Sequence, residues 1–310
     1  MAKNIVPIVF CFDENFILPA RVCITSLLVN ADESTFYDIF ILHADNCNLE
    51  KAGFESLHSF GNCNIQFRKV GNQFNGSFVI RGITIASYYR LLIPQLIPEY
   101  DKIIYADVDM IFRMDLSEMY DTDISSVHVA GVPDYGILLC EKDVEYVENI
   151  LHLSNVNKYI QGGLLLLNSK KMREDNLLQD FIRLSRKQFT YQDQDLLNLV
   201  CEKTKILLPM KYNVTLSIFY HSFYDCNKLL NLQSEYASLN DILSIGNIHY
   251  NGPKPWIKYC PNFDIWWEYY RKSPNFDHKF YFDFFYNRLN ESDSWSLWKR
   301  IKVLFHFFLK

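Results

Sequence analysis

The sequence predicts an α/β fold: an open, mainly parallel twisted sheet flanked by helices, with a helical, aromatic C-terminal appendage. Three observations lead there. Short apolar runs alternate with longer helix-like segments through the first half of the chain, which is the rhythm of parallel sheets. The 310 residues, 49% hydrophobic and 22% charged, suffice to bury one large core. Near the end the pattern changes to aromatic residues interleaved with Lys and Arg.

The elements follow in order. Ile5–Phe12 reads as a buried strand and Pro19–Asn30 as a helix with Pro in its first turn. Tyr37–His43 is a second strand, Leu49–Phe60 a second helix and Ile65–Val70 a third strand. Thr84–Leu92 reads as helical, ending before Pro94. Lys102–Ala106 is a short apolar strand that stops at Asp107. Further strands are expected at Val127–Val132, Leu164–Leu167 and Ile245–His249. Helices are expected over Lys170–Arg186, Asp195–Cys201, Asp264–Arg271 and Asp277–Asn290. The domain reading is residues 1–260 as the main body and 261–310 as the helical C-terminal region.

Bulk properties exclude some classes. A net charge of −5 argues against general nucleic-acid binding. The 8 cysteines are scattered without a C-x-x-C pair, so neither a zinc site nor a disulfide framework is suggested. A reducing, cytoplasmic compartment fits them best. The N-terminal run is short, contains Pro7 and leads into Asp13-Glu14, unlike a signal peptide. Sequons at Asn75, Asn213 and Asn290 carry no meaning without secretion.

The chemistry concentrates at Asp107-Val-Asp109. Residues two apart on an extended segment point the same way, so both carboxylates are expected to project together from the strand end. Two such charges repel unless a cation lies between them, and carboxylate oxygens suit Mg²⁺ or Mn²⁺. A cation held this way bridges diphosphate oxygens and stabilises a departing nucleoside diphosphate. The bland alternative is a pair of turn-forming aspartates. Phosphatases of the haloacid-dehalogenase type also carry Asp-x-Asp, but at the first strand, whereas several strands precede it here. The segment His249-Tyr-Asn-Gly252-Pro-Lys254-Pro-Trp256 offers an imidazole, a glycine that admits a phosphate, and a cation to face it. Read alone, His249 is a structural histidine and Pro-Lys-Pro-Trp a rigid loop.

Taken together, these blocks resemble glycosyltransferase family 8, which includes bacterial lipopolysaccharide galactosyl- and glucosyltransferases and the glycogenins. Ile8-Val-Phe-Cys-Phe-Asp13-Glu-Asn15 is similar to its first strand and uridine-binding turn. Ser87-Tyr-Tyr-Arg90-Leu, Tyr105-Ala-Asp107-Val-Asp109, Gly162-Gly-Leu-Leu-Leu-Leu-Asn168 and Tyr191-Gln-Asp193-Gln194-Asp195 resemble later blocks, and His249 to Trp256 the last. The resemblance covers roughly residues 5–258. It implies a GT-A fold, a UDP-hexose donor, Mn²⁺ (or Mg²⁺) and retention of anomeric configuration.

Carried over block by block, Asp107, Asp109 and His249 are the implied metal ligands. Cys11, Phe12, Asp13 and Asn15 are implied nucleoside contacts, and Val108 belongs to the same nucleotide-sugar set. Gly252 and Lys254 would hold the diphosphate, while Arg90, Asp193 and Gln194 would reach the donor sugar. Asp134 would face the reacting centre. Two features depart from the pattern: Gln161 stands where many members have Asn, and the loop between Gly252 and Lys254 is one residue shorter. The implied acceptor is an oligosaccharide or lipid-linked glycan. The alternatives are a glycogenin-like self-glucosylating protein and a non-catalytic UDP-sugar- or glycan-binding protein.

The segment Ser294–Lys310 carries Lys299, Arg300, Lys302 and Lys310 among Trp295, Trp298, Phe305, Phe307 and Phe308. It is too short and too charged to span a bilayer. It suits a helix in the headgroup region of an anionic membrane, which places the protein peripherally on the inner face of the cytoplasmic membrane. The alternative is a terminal helix docked by its aromatic face.

Overall fold

The computed structural model describes residues 3–45, 47, 49, 52–79, 85–232, 239–291 and 293–308. The chain divides into two compact units, residues 1–274 and 275–310.

The first unit is built on a sheet of seven strands. These are β1 (Asn4–Cys11), β2 (Thr35–Ala44), β3 (Cys63–Val70), β4 (Ile103–Ala106), β6 (Val129–Pro133), β7 (Ile160–Leu167) and β8 (Lys205–Leu207), in the order β3-β2-β1-β4-β7-β6-β8. β3, β2, β1 and β4 pair in parallel, as do β6 and β8. β7 alone among them is antiparallel to its neighbours. The open, mainly parallel α/β architecture expected from the sequence is therefore present. The apolar run Leu164–Leu167 is buried on both faces, as a central strand requires.

A second sheet of three strands holds β5 (Met110–Ile111), β10 (Ile248–His249) and β9 (Val214–Thr215) in that order. β10 runs antiparallel to β5 and parallel to β9. Strands of two residues leave no period in a sequence, and β5 and β9 were not anticipated.

Several expected elements differ. Of the helix expected over Leu49–Phe60, Leu49 and Phe54–Phe60 are 3₁₀ rather than α, with 50 and 51 outside the described residues. Thr84 also lies outside them; Ile85–Leu92 is 3₁₀ and passes into an α-turn at Ile93–Leu96. Pro94 thus lies within a helix rather than after one, since its missing N–H costs nothing in the first turn. The single helix expected over Lys170–Arg186 is two, Ser169–Glu174 and Leu177–Ser185, broken where Asn176 takes a left-handed φ of 53°. The helix expected from Asp195 begins at Gln192. The strand expected over Ile245–His249 keeps only its last two residues, because Leu239–Ile245 is helical.

The helix Phe263–Lys272 belongs to the first unit, although the sequence reading drew its boundary at residue 260. Trp266 and Trp267 are fully buried, and Asn30 Nδ2 donates to Tyr269 Oη at 2.7 Å. The second unit contains the helices His278–Leu289 and Leu297–Phe308. Asp277 caps the first, accepting from the amides of Lys279 and Phe280 at 2.8 and 3.1 Å. Phe282, Tyr286, Leu289, Leu297, Trp298 and Phe305 are exposed.

Candidate active site

The acidic pair lies where the chain crosses from the large sheet to the small one. β4 ends at Ala106, and the amide of Asp107 still donates to Gly163 O of β7 at 2.8 Å. Val108 and Asp109 then form a turn into β5. The two carboxylates do come together, but not through the extended alternation expected from the sequence; the turn brings them round. β5 pairs with β10 so that Met110 lies opposite His249. That pairing delivers the imidazole to the acids from a distant stretch of chain.

His249 Nε2 lies 3.2 Å from Asp109 Oδ1 and 3.8 Å from Asp107 Oδ2. The remaining carboxylate oxygens have other partners. Asp107 Oδ1 takes Arg90 Nη2 at 3.1 Å and the Tyr105 hydroxyl. Asp109 Oδ2 takes the Lys254 ammonium. Burial alone would raise the Asp109 pKa, but Lys254 and His249 outweigh it and hold the carboxyl well below the usual carboxylate range. One ligand atom from each of Asp107, Asp109 and His249 lies within 4.8 Å of the others. One oxygen of each acid and one ring nitrogen thus converge, while the acids' other oxygens are satisfied elsewhere. Two carboxylates and an imidazole suit Mn²⁺ or Mg²⁺, so these residues fit a divalent ion.

Gly163 makes this convergence possible. A Cβ there would collide with His249 Cε1 and lie 2.9 Å from Asp107 Oδ2. The neighbouring Gly162 gives its carbonyl to Arg90 Nη1 and its amide to Gln194 Oε1 at 2.8 Å.

Arg90 ties the floor together. Its Nε lies 2.9 Å from both Ser87 O and Asp193 Oδ2. Burial works against its charge, yet Asp107 and Asp193 more than offset that and raise its pKa. Burial lifts the Asp193 carboxyl to about 6 despite the opposing pull of Arg90. Asp134 is also raised by burial, opposed by its hydrogen bonds. Its Oδ1 caps a short helix, accepting from the amides of Gly136 and Ile137, and its Oδ2 accepts from Gln194 Nε2 at 2.9 Å. Asp193, in the first turn of Gln192–Val200, does not cap it. Asp195 is held by the hydroxyls of Tyr159 and Tyr146 and the amide of Tyr191 at 2.5, 2.8 and 2.8 Å.

Most of these groups, though not Asp195, border one cavity of about 740 Å³. Cys11, Phe12, Asp13, Arg90, Asp107, Val108, Asp109, Asp134, Gln161, Asp193, Gln194, His249, Gly252 and Lys254 all border it. Asn15 does not; its amide instead donates to Asp13 Oδ1 at 2.9 Å. Sequence reasoning passed over Ser87, Tyr105, Tyr191, Ser217 and Asn251, which also line the cavity. Ser87, Tyr105, Tyr191 and Asn251 stand inside the blocks that resemble the family, and that adjacency was the available signal. Asn213, buried behind His249, carried only a sequon as a sign.

An open, mainly parallel sheet with an acid-and-imidazole cleft beyond the ends of β1 and β4 defines a GT-A glycosyltransferase fold. The chain belongs to glycosyltransferase family 8, whose model matches residues 7–260. It is 28% identical to a putative glycosyltransferase of Haemophilus influenzae, over 67% of this chain and 63% of that protein. It is 26% identical to a lipopolysaccharide 1,2-glucosyltransferase of Escherichia coli, over 79% of this chain and 71% of that one. Among solved structures it resembles the bifunctional glycosyltransferase WbbM, with a TM-score of 0.71 and 26% identity, over 90% of this chain and 52% of that one. It shares the fold of the galactosyltransferase LgtC, solved with donor and acceptor sugar analogues (TM-score 0.72, 22% identity, 88% and 98% coverage). The chain therefore spans about half the length of WbbM and less than two thirds of the Haemophilus protein.

Proposed function

We propose that this glycosyltransferase moves a hexose from a UDP-sugar to a glycan acceptor, with retention of anomeric configuration, in the assembly of lipopolysaccharide or another cell-surface glycan. The observation that carries the reading is the convergence of Asp107, Asp109 and His249 on one wall of a cavity that Lys254 also lines. A divalent ion on these three ligands would neutralise the diphosphate and stabilise the leaving group's charge.

The protein's own groups do the rest. Cys11, Phe12 and Asp13, at the end of β1, border the cavity where a uridine would lie. Gly252 admits the diphosphate close to the backbone, and Lys254 turns from Asp109 to face it. Arg90 and Asp193 fix the position of the sugar. Gln194 has its carbonyl oxygen on the Gly162 amide and its NH₂ on Asp134, so it orients rather than attacks. Asp193 is paired with Arg90 and Asp195 is held by two tyrosines and a backbone amide, which leaves neither free as a nucleophile. We favour attack on the same face as the leaving group. The acceptor oxygen bonds to the anomeric carbon, the bond to the β-phosphate oxygen breaks, and the acceptor proton passes to UDP.

We assign the exposed aromatic and basic helix Leu297–Phe308 to the surface of an anionic membrane, where a lipid-linked acceptor would be presented. Lys310 and the side chains of Phe307 and Phe308 lie outside the described residues. No described helix is long and apolar enough to cross a membrane.

The test is UDP release from UDP-glucose and UDP-galactose, with and without Mn²⁺, alongside a thermal-shift panel of both. Metal-dependent release, with a melting temperature raised by nucleotide and Mn²⁺ together, is expected. Neither binding nor release with any UDP-sugar would end the proposal.

A further inference from the structure

We propose that Gln161 and Asn213 form a relay that sets the tautomer of His249, placing the proton on Nδ1 so that Nε2 is offered to the cation. They are positioning residues acting through the imidazole, and the inference rests on the metal reading above.

The argument starts from a backbone amide, whose role is fixed. Gly163 N–H can only donate, and it lies 2.6 Å from the side-chain amide of Gln161, so the Gln161 atom facing it is the oxygen. The same oxygen lies 2.7 Å from a terminal atom of Asn213. Two acceptors do not face each other at that distance, so Asn213 presents its NH₂ there. Its oxygen then points the other way, 2.9 Å from His249 Nδ1. Against an oxygen that only accepts, Nδ1 must carry the hydrogen. In the neutral ring the lone pair is therefore on Nε2, the atom that faces Asp109 and Asp107. Each step follows from the donor that precedes it, starting at a backbone N–H that cannot reverse.

Burial makes the relay exclusive. Gln161, Asn213 and His249 are 7%, 1% and 2% exposed, so water offers little competition for these donors and acceptors. The relay also gives a physical reason for Gln at position 161. Its longer side chain folds back to the amide of Gly163, two residues on, and still meets Asn213. An Asn is one methylene shorter. The partner of a metal-binding histidine typically sets metal affinity by a factor of roughly 10–100.

The experiment measures Mn²⁺ binding by electron paramagnetic resonance of the free ion, without substrate. Asn213→Leu should weaken binding about 10-fold or more, and Gln161→Leu less. Asn213→Asp keeps an acceptor for Nδ1–H and should stay close to wild type in Mn²⁺ affinity, though it loses the link to Gln161 and so some stability. A merely structural role would instead make affinity follow stability across all three variants, which overturns the relay. So would an Asn213→Leu protein that binds Mn²⁺ as wild type does. Should Asn213→Leu not fold, ¹⁵N-histidine spectra of the wild-type protein loaded with diamagnetic Cd²⁺ decide. A proton on Nδ1 and cadmium on Nε2 are expected, and the reverse refutes the relay. A wild-type protein that takes up no divalent ion refutes the metal reading itself, and the relay with it.

Discussion

His249 Nε2 lies 3.2 Å from Asp109 Oδ1, joined there by the antiparallel pairing of two strands of only two residues each. The relationship is electrostatic as well as geometric. Lys254 sits on the far oxygen of Asp109, so the acid is pinned from both sides. His249→Ala or Asp109→Asn should each remove Mn²⁺-dependent stimulation and lower UDP release about 100-fold, since a bound cation supplies several kcal/mol to the leaving group. Wild-type turnover in Asp109→Asn with chelator present would refute the metal's role.

Gly163 tests the same site without replacing any of the three ligand residues. A Cβ there meets His249 Cε1, Asp107 Oδ2 and Gln161 Oε1 together. Gly163→Ala should cost about 1–3 kcal/mol by overpacking and lose Mn²⁺ binding in protein that is still folded. Urea unfolding and metal titration of the same sample separate the two effects. Unchanged metal affinity would mean that the imidazole can shift without loss.

Arg90 is both a floor and a counter-charge. Its guanidinium reaches Ser87 O, Gly162 O, Asp107 and Asp193 from a buried position. Arg90→Ala leaves Asp193 buried beside no cation, and a loss of about 3–5 kcal/mol is expected. Arg90→Lys should recover part of it only, because an ammonium cannot span four acceptors in one plane. A full recovery by Lys in a denaturant titration would show that charge alone matters here.

In the second unit, Trp298 is 80% exposed next to Lys299 and Arg300 on the helix Leu297–Phe308. Replacing Lys299, Arg300 and Lys302 by Gln should weaken partition onto anionic vesicles by about 3 kcal/mol, roughly 100-fold, at about 1 kcal/mol per charge. Added salt should weaken the wild type likewise. Flotation with liposomes by protein lacking residues 292–310 would exclude the tail as the anchor.

The sequence exposed the first half of this fold well, because the largely buried parallel strands β1, β2 and β4 appear as apolar runs. It exposed the large sheet except for β8, the three-residue strand Lys205–Leu207, and of the small sheet only β10. β5 and β9 carry no period, yet they place His249 and Asn213. The acids, the histidine and Lys254 were legible because their chemistry is recognisable in short blocks. Asn213 was not, since a buried amide that serves another side chain looks like any other Asn. Pro94 and the break at Asn176 show the local limit: where tertiary packing sets the backbone, propensity rules misplace element ends.

Asp193 gives the pH prediction. Burial holds its carboxyl at about 6, against an ordinary value of 3.8. The folded value lies above the unfolded one, so between pH about 4 and 6 the folded state keeps a proton that the unfolded state has lost. Stability contributed by this group is therefore present at low pH and falls as pH rises through that window. The gap corresponds to about 3 kcal/mol at most. Asp134 and Asp195, also raised by burial, act with the same sign, and Asp109, which is lowered, acts with the opposite one. All three remain in Asp193→Asn, so the difference between that variant and wild type isolates Asp193. Metal-free wild type should lose more stability than Asp193→Asn between pH 4.5 and 6.5 in urea titrations. Parallel profiles for the two proteins would mean that Arg90 keeps Asp193 ionised throughout, with its pKa near the ordinary value.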